Sequence, residues 1–172
     1  MNKKQAFALL VVTFIFTFNS SVFAKEKSIQ NFYKKYKDKS ECTSLSFSPA
    51  LLNLLLIGHE DKDLRQFLKE VDEVKILVFE NIEDPAKMFK EELNRDYLPN
   101  YFEDLMIIKD GSSNIEFKIA KNGGFYSEFL MSVCDSNSLV LLYIDGKIDL
   151  KTINKLSSAI NVKGMQHLNK IK

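Results

Sequence analysis

GGFYSEFLMSVCDSNSLVLLYIDGKIDL, residues 123–150, decides the fold. It reads as an apolar strand from Phe125 to Val133, a turn at Asp135-Ser136-Asn137, and a second apolar strand from Leu139 to Ile144. Asp145-Gly146-Lys147 then reads as the end of that strand. In the first strand Phe125, Phe129, Met131 and Val133 fall on one face, with Glu128, Leu130 and Ser132 on the other. The second strand is apolar on both faces, so it belongs in the middle of a sheet covered on both sides. The hairpin is therefore core, and nothing in it specifies a chemistry.

Upstream, Ile29, Phe32, Tyr33 and Tyr36 recur at helical spacing and predict an amphipathic helix over residues 28–37 with a lysine-rich outer face. Thr43 to Phe47 alternates as a short strand. Ser48 then caps a helix whose first residue is Pro49, where the missing N–H costs nothing. That helix, Ala50 to Ile57, is apolar at every position except Asn53 and stops at Gly58. A second short helix over 63–71 sets Leu64, Phe67, Leu68 and Val71 on one face. Val74 to Phe79 is a strand apolar on both faces near its middle. Asp84-Pro85 repeats the cap-and-proline signal and opens a helix to Arg95, with Met88, Phe89 and Leu93 facing in. Strands follow at Phe102 to Ile108 and Ile115 to Ala120, joined through Asp110-Gly111 and Asn122-Gly123-Gly124, whose residues tolerate positive φ. A helix from Asp149 carries Ile153, Leu156 and Ile160 inward. The expected fold class is α+β: a mainly antiparallel sheet, built from a C-terminal four-strand meander and two earlier strands, covered by helices.

The N-terminus carries Lys3 and Lys4, an apolar run from Ala6 to Phe18, and Val22 and Ala24 at the spacing a signal peptidase reads. The run is short for a bilayer span, which needs about 20 residues. Residues 1–24 are therefore expected to be a cleaved signal peptide, leaving 25–172 as one α+β domain that is periplasmic or secreted and not stably inserted in the membrane. Without Lys3 and Lys4 the balance is 22 basic against 23 acidic residues, well mixed, and gives no electrostatic footprint for nucleic acid.

Four stretches carry a family resemblance: Thr-Ser-Leu-Ser-Phe-Ser (43–48), Val-Lys-Ile-Leu-Val-Phe-Glu-Asn (74–81), Tyr-Phe-Glu-Asp-Leu-Met-Ile-Ile-Lys-Asp (101–110), and Glu128 to Val133 with Tyr143 to Leu150. Together, across residues 28–157, they resemble domain of unknown function 4252, a family of small exported bacterial proteins. Many members look like lipoproteins. This chain departs from them, because its first cysteine, Cys42, lies far past the apolar run. The resemblance implies a fold and no catalytic or binding residues.

The residues that could bear chemistry are few. His59 lies in the polar turn Gly58-His59-Glu60-Asp61 and His167 in the tail, so a Ser/His/Asp or Cys/His site would have to rest on a turn or a loose end. His59, Glu60, Asp61 and Asp63 lack the spacing of a zinc or calcium loop and read as a polar turn, and no metal or other cofactor is expected. The carboxylate pairs Glu91/Glu92, Glu103/Asp104 and Asp145/Asp149 read as solvated or capping groups, Asp149 as the cap of the last helix. Cys42 and Cys134 leave three readings open: a disulfide, two separate thiols, or a reactive thiol. The apolar helix leaves two. It is sandwiched between the sheet and helix 63–71, or Leu52, Leu55 and Leu56 form an interaction surface for another protein or an apolar ligand. These features favour a non-enzymatic exported binding module whose partner is an unknown envelope protein or apolar ligand. The alternatives are an enzyme with an unusual carboxylate or thiol site and, by family analogy, an accessory to envelope signalling.

Overall fold

The hairpin forms where it was read, at the centre of a six-stranded antiparallel sheet. The computed structural model describes residues 28–55, 62–149 and Ile153. In chain order the elements are α1 (Ile29–Tyr36), β1 (Cys42–Phe47), α2 (Pro49–Leu55), α3 (Lys62–Glu70) and β2 (Val71–Glu80). A single turn, α4 (Pro85–Lys87), continues into a π-helix (Met88–Tyr97), followed by β3 (Glu103–Asp110), β4 (Ser113–Asn122), β5 (Phe125–Cys134) and β6 (Ser138–Ile148). The sheet order is β1-β2-β6-β5-β4-β3: the meander supplies four adjacent strands and the two earlier strands complete the sheet on one side.

Side chains cap three helix starts, at Ser48 and Asp84 as expected and at Ser28 besides. Gln30 N–H donates to Ser28 Oγ (3.1 Å), Leu51 N–H to Ser48 Oγ (3.3 Å), and Lys87 N–H to Asp84 Oδ1 (2.9 Å). Ile153 N–H donates to Asp149 O (3.1 Å), which places Asp149 where a cap belongs.

Helices lie on both faces. On one, α2, α3 and Ile153 cover Val74, Ile76, Phe117, Phe129, Met131, Leu142 and Ile144. On the other, α1 and the π-helix cover Leu77, Phe79, Leu130, Cys134, Leu139, Leu141 and Tyr143. β6 contributes alternate residues to both clusters, as a central strand must.

Three expectations change. β5 gains an extra residue at Ser127, because Ala120 opposes Glu128 while Lys121 opposes Tyr126. This bulge reverses the alternation, so Tyr126 packs on the Phe129 face and Phe125 is left 43% exposed. Val71 opens β2 instead of closing helix 63–71, with Asp72 as the extra residue opposite Asp145-Gly146. And β6 runs on through Asp145-Gly146-Lys147 to Ile148. Leu52 is 1% exposed and belongs to the core, whereas Leu51 and Leu54 on the same helix are 39% and 59% exposed. The proposed surface at Leu52 is thus wrong. Leu55's side chain, Leu56, the turn at 58–61, His167 and residues 1–27 lie outside the described residues, as do Leu156 and Ile160.

Gly146 has φ +133°, and a Cβ there would sit 2.4 Å from Glu70 O, 2.7 Å from Val71 Cα and 2.8 Å from Asp72 N. Gly146→Ala should therefore destabilise by at least about 2 kcal/mol, the usual scale of backbone strain plus a clash that only backbone movement relieves. Gly124→Ala, at φ +92° with nothing near the new Cβ, should cost less. Urea denaturation of the two variants checks the order.

Candidate functional site

Cys42 and Cys134 stand in one row across the sheet, separated by two residues of it: Cys42 pairs with Phe79, Phe79 with Leu139, and Leu139 with Cys134. Three strand spacings separate them, roughly 14 Å. Both are free thiols. Burial pushes Cys134 up to about 12 and half-buried Cys42 up to about 11, the direction opposite to that of a nucleophile. The disulfide and reactive-thiol readings both give way to two separate thiols.

Cys134 forms part of the floor of a cleft of about 490 Å³ between the π-helix and the β3–β4 hairpin. Phe89 reaches it from the π-helix, while Ile107 of β3 and Asn114 and Glu116 of β4 line it from the sheet. Lys90 and Lys109, both exposed, line it too, with Ser112 and Ser113 at the hairpin turn. Antiparallel register builds the inner end. Asn114 opposes Cys134 and Ile107 opposes Glu116, so these four side chains share a face. The π-helix brings Phe89 and Lys90 over them; π-turns are uncommon and recur where a helix is shaped for a site.

The polar groups of the cleft are fixed in a chain. Asn114 Nδ2 donates to Glu116 Oε1 (2.9 Å), and Glu116 Oε2 lies 3.3 Å from the buried Lys118 ammonium, which also pairs with Asp104. Because Glu116 accepts from the amide nitrogen, the amide oxygen is turned the other way. Asn114 Oδ1 is buried and has no hydrogen-bond donor among the described residues. An unpaired buried acceptor costs about 1–3 kcal/mol, so its presence beside a cleft is a chemical statement.

Two other polar places lie outside this cleft. A larger open groove of about 1030 Å³ runs along the π-helix past Lys35, Glu92, Arg95 and Asp96. There Lys35 pairs with Glu92, Tyr36 donates to Glu92 Oε1 (2.6 Å), and Arg95 pairs with Asp96 (2.8 Å). At the other end of β6, Tyr143 donates to Glu128 Oε2 (2.7 Å), and Asp145 is held above the usual carboxylate range by burial and by Glu128 and Asp72. Nearby, burial works to raise Glu73, but Lys75 (2.6 Å) and Gln30 (2.9 Å) outweigh it and hold the carboxyl low. Among the described residues no group of three or more His, Cys, Asp or Glu is placed to hold a metal ion.

Of the residues singled out from sequence, the cleft gathers Cys134 alone. Cys42 and Leu52 lie elsewhere. Asn114, Glu116, Phe89, Ile107, Lys90 and Lys109 come from three separated segments, and no spacing in the chain joins them.

The fold and the cleft define an α+β protein with helices on both faces of one antiparallel sheet. A family model described as "Domain of unknown function (DUF4252)" matches residues 36–156, and the chain belongs to that family. No curated protein and no solved structure matches the chain.

If Cys134 is a packing thiol, iodoacetamide at pH 8 should leave it unmodified in the native protein and alkylate it fully in denaturant. Dithiothreitol should not move the melting temperature. Rapid native alkylation at Cys134, read by mass spectrometry, would contradict its buried, protonated state.

Proposed function

We propose that this chain is an exported, non-enzymatic binding module of the cell envelope. Its ligand would be small, with an apolar body and at least one N–H or O–H donor. The observation that carries the reading is the buried, unpaired Asn114 Oδ1 beside a cleft with an apolar floor. A ligand donor placed there would remove the cost of that acceptor, and Phe89, Ile107 and Cys134 would take the apolar part. Lys90 and Lys109 suit a carboxylate at the outer end, so amino acids and short peptides fit the chemistry best. Binding is favoured over catalysis because the cleft's thiol is held protonated and its carboxylate is already engaged by Asn114 and Lys118.

Export rests on the basic start, the short apolar run and the Val22/Ala24 spacing. No helix among the described residues is long and apolar enough to cross a membrane. When the full chain is expressed in a Gram-negative host, the protein should be found in the periplasmic fraction with Lys25 as its first residue. Mass spectrometry that finds Met1 retained in the membrane fraction would sink the export reading.

For the cleft, the test is a thermal-shift screen of the standard amino acids, their amides and medium-chain fatty acids. At least one probe with an N–H donor should raise the melting temperature, and Asn114→Leu should abolish that shift. A shift that survives Asn114→Leu would move the site elsewhere. If no probe acts and Asn114→Leu simply raises stability by about 1 kcal/mol, the orphan oxygen is a packing cost without a ligand.

A further inference from the structure

The two edges of the sheet are built differently. β3 holds Glu103, Asp104, Lys109 and Asp110, and its register slips at Leu105, where Asp104 and Met106 oppose consecutive residues of β4. Charges and bulges are the usual means by which an edge strand resists pairing with another chain. β1, at the opposite end of the order, has neither. Cys42-Thr43-Ser44-Leu45-Ser46-Phe47 contains no charged residue and no proline, and it pairs with β2 without a slip. Leu45 is 47% exposed on that edge, on the side of the sheet covered by α2, whose Leu51 and Leu54 are also exposed.

We propose that the outer edge of β1 pairs in antiparallel register with β1 of a second copy of this chain, about a two-fold axis at Leu45. That register sets Leu45 against Leu45 of the second copy, Thr43 against Phe47, and Ser44 against Ser46. It preserves the faces of both sheets, opposes no like charges, and sets the exposed Leu45 of each copy against the other. The same operation on β3 about Ile107 would set Asp104 against Asp110, which like-charge repulsion disfavours. A second copy fits better than a foreign strand. Selection of a foreign strand relies on charge or pocket complementarity, and β1 offers neither. An uncharged strand of alternating small and apolar residues complements itself in antiparallel register, and a two-fold contact of this kind closes without forming fibres.

The experiment is sedimentation equilibrium on the protein purified after expression of the full chain, with amide hydrogen exchange on the same material. The wild type should weigh as two chains at micromolar concentration, and exchange across residues 42–47 should slow as the concentration rises. Leu45→Lys sets two ammonium groups against each other on the axis. It should raise the dissociation constant at least tenfold while the circular dichroism spectrum stays that of a folded chain. Ile107→Lys, on the other edge, should leave the dimer intact. A wild type that stays monomeric up to about 100 µM overturns the proposal, since stable contacts of this kind bind more tightly than that. So does a dimer unaffected by Leu45→Lys, or concentration-dependent protection that falls outside residues 42–47. Should Leu45→Lys fail to fold, the wild-type exchange pattern decides alone.

Discussion

Gly146 and the backbone of Glu70, Val71 and Asp72 meet so closely that no side chain fits between them. This contact lets α3 pass directly into β2 with no intervening loop, since α3 ends at Glu70 and β2 begins at Val71. Phe67 and Leu68 are thereby held over the sheet face that Val71 and Val74 share. Val71 and Val74 lie three residues apart and would point to opposite sides of a regular strand. They point the same way because Asp72 is extra opposite Asp145-Gly146. One absent Cβ in β6 thus sets where the α3 layer rests and how β2 begins.

The irregularity spreads sideways. At the same level β5 carries its extra residue at Ser127, so β2, β6 and β5 all slip along one line of the sheet. Beyond that line the chain is Ile148 and then Asp149, whose carbonyl accepts from the N–H of buried Ile153. On the near side the register is regular, and β6 places Leu139, Leu141 and Tyr143 on one face and Val140, Leu142 and Ile144 on the other. Full burial of each such side chain is worth about 1.5–3 kcal/mol, which is why this strand must be central.

That centrality was legible from residues 139–144, as were the element order, the caps at Ser48 and Asp84, and the glycine turns. Each of these is local: a run, a cap pair, a turn dipeptide. The bulges were not legible, because one extra residue changes no composition and only reverses which neighbours point inward; Phe125 and Tyr126 exchange places for that reason alone. Likewise a helix apolar at nearly every position says nothing about which leucine faces in. The register with the sheet chose Leu52 and left Leu51 and Leu54 outside. The cleft was least legible of all, since Phe89, Ile107, Asn114 and Cys134 meet only through strand pairing and the position of the π-helix.

The two covered faces differ in kind, and the difference decides where a polar site is tolerated. The face under α2 and α3 is apolar across β2, β6, β5 and β4. The other face buries two lysines: Lys75, against Glu73 and 4.8 Å above the Tyr33 ring, and Lys118, against Asp104 and Glu116. Each ammonium has its counter-charge, as a buried charge requires. Asn114 Oδ1 lies in the same polar layer, near the β3 end of the order, whereas β1 lies at the other. Five strand spacings, about 24 Å, separate the two edges. A pairing through β1 would therefore leave both clefts open, at the outer ends of a continuous sheet. Their separation would be fixed by backbone hydrogen bonds rather than by a linker.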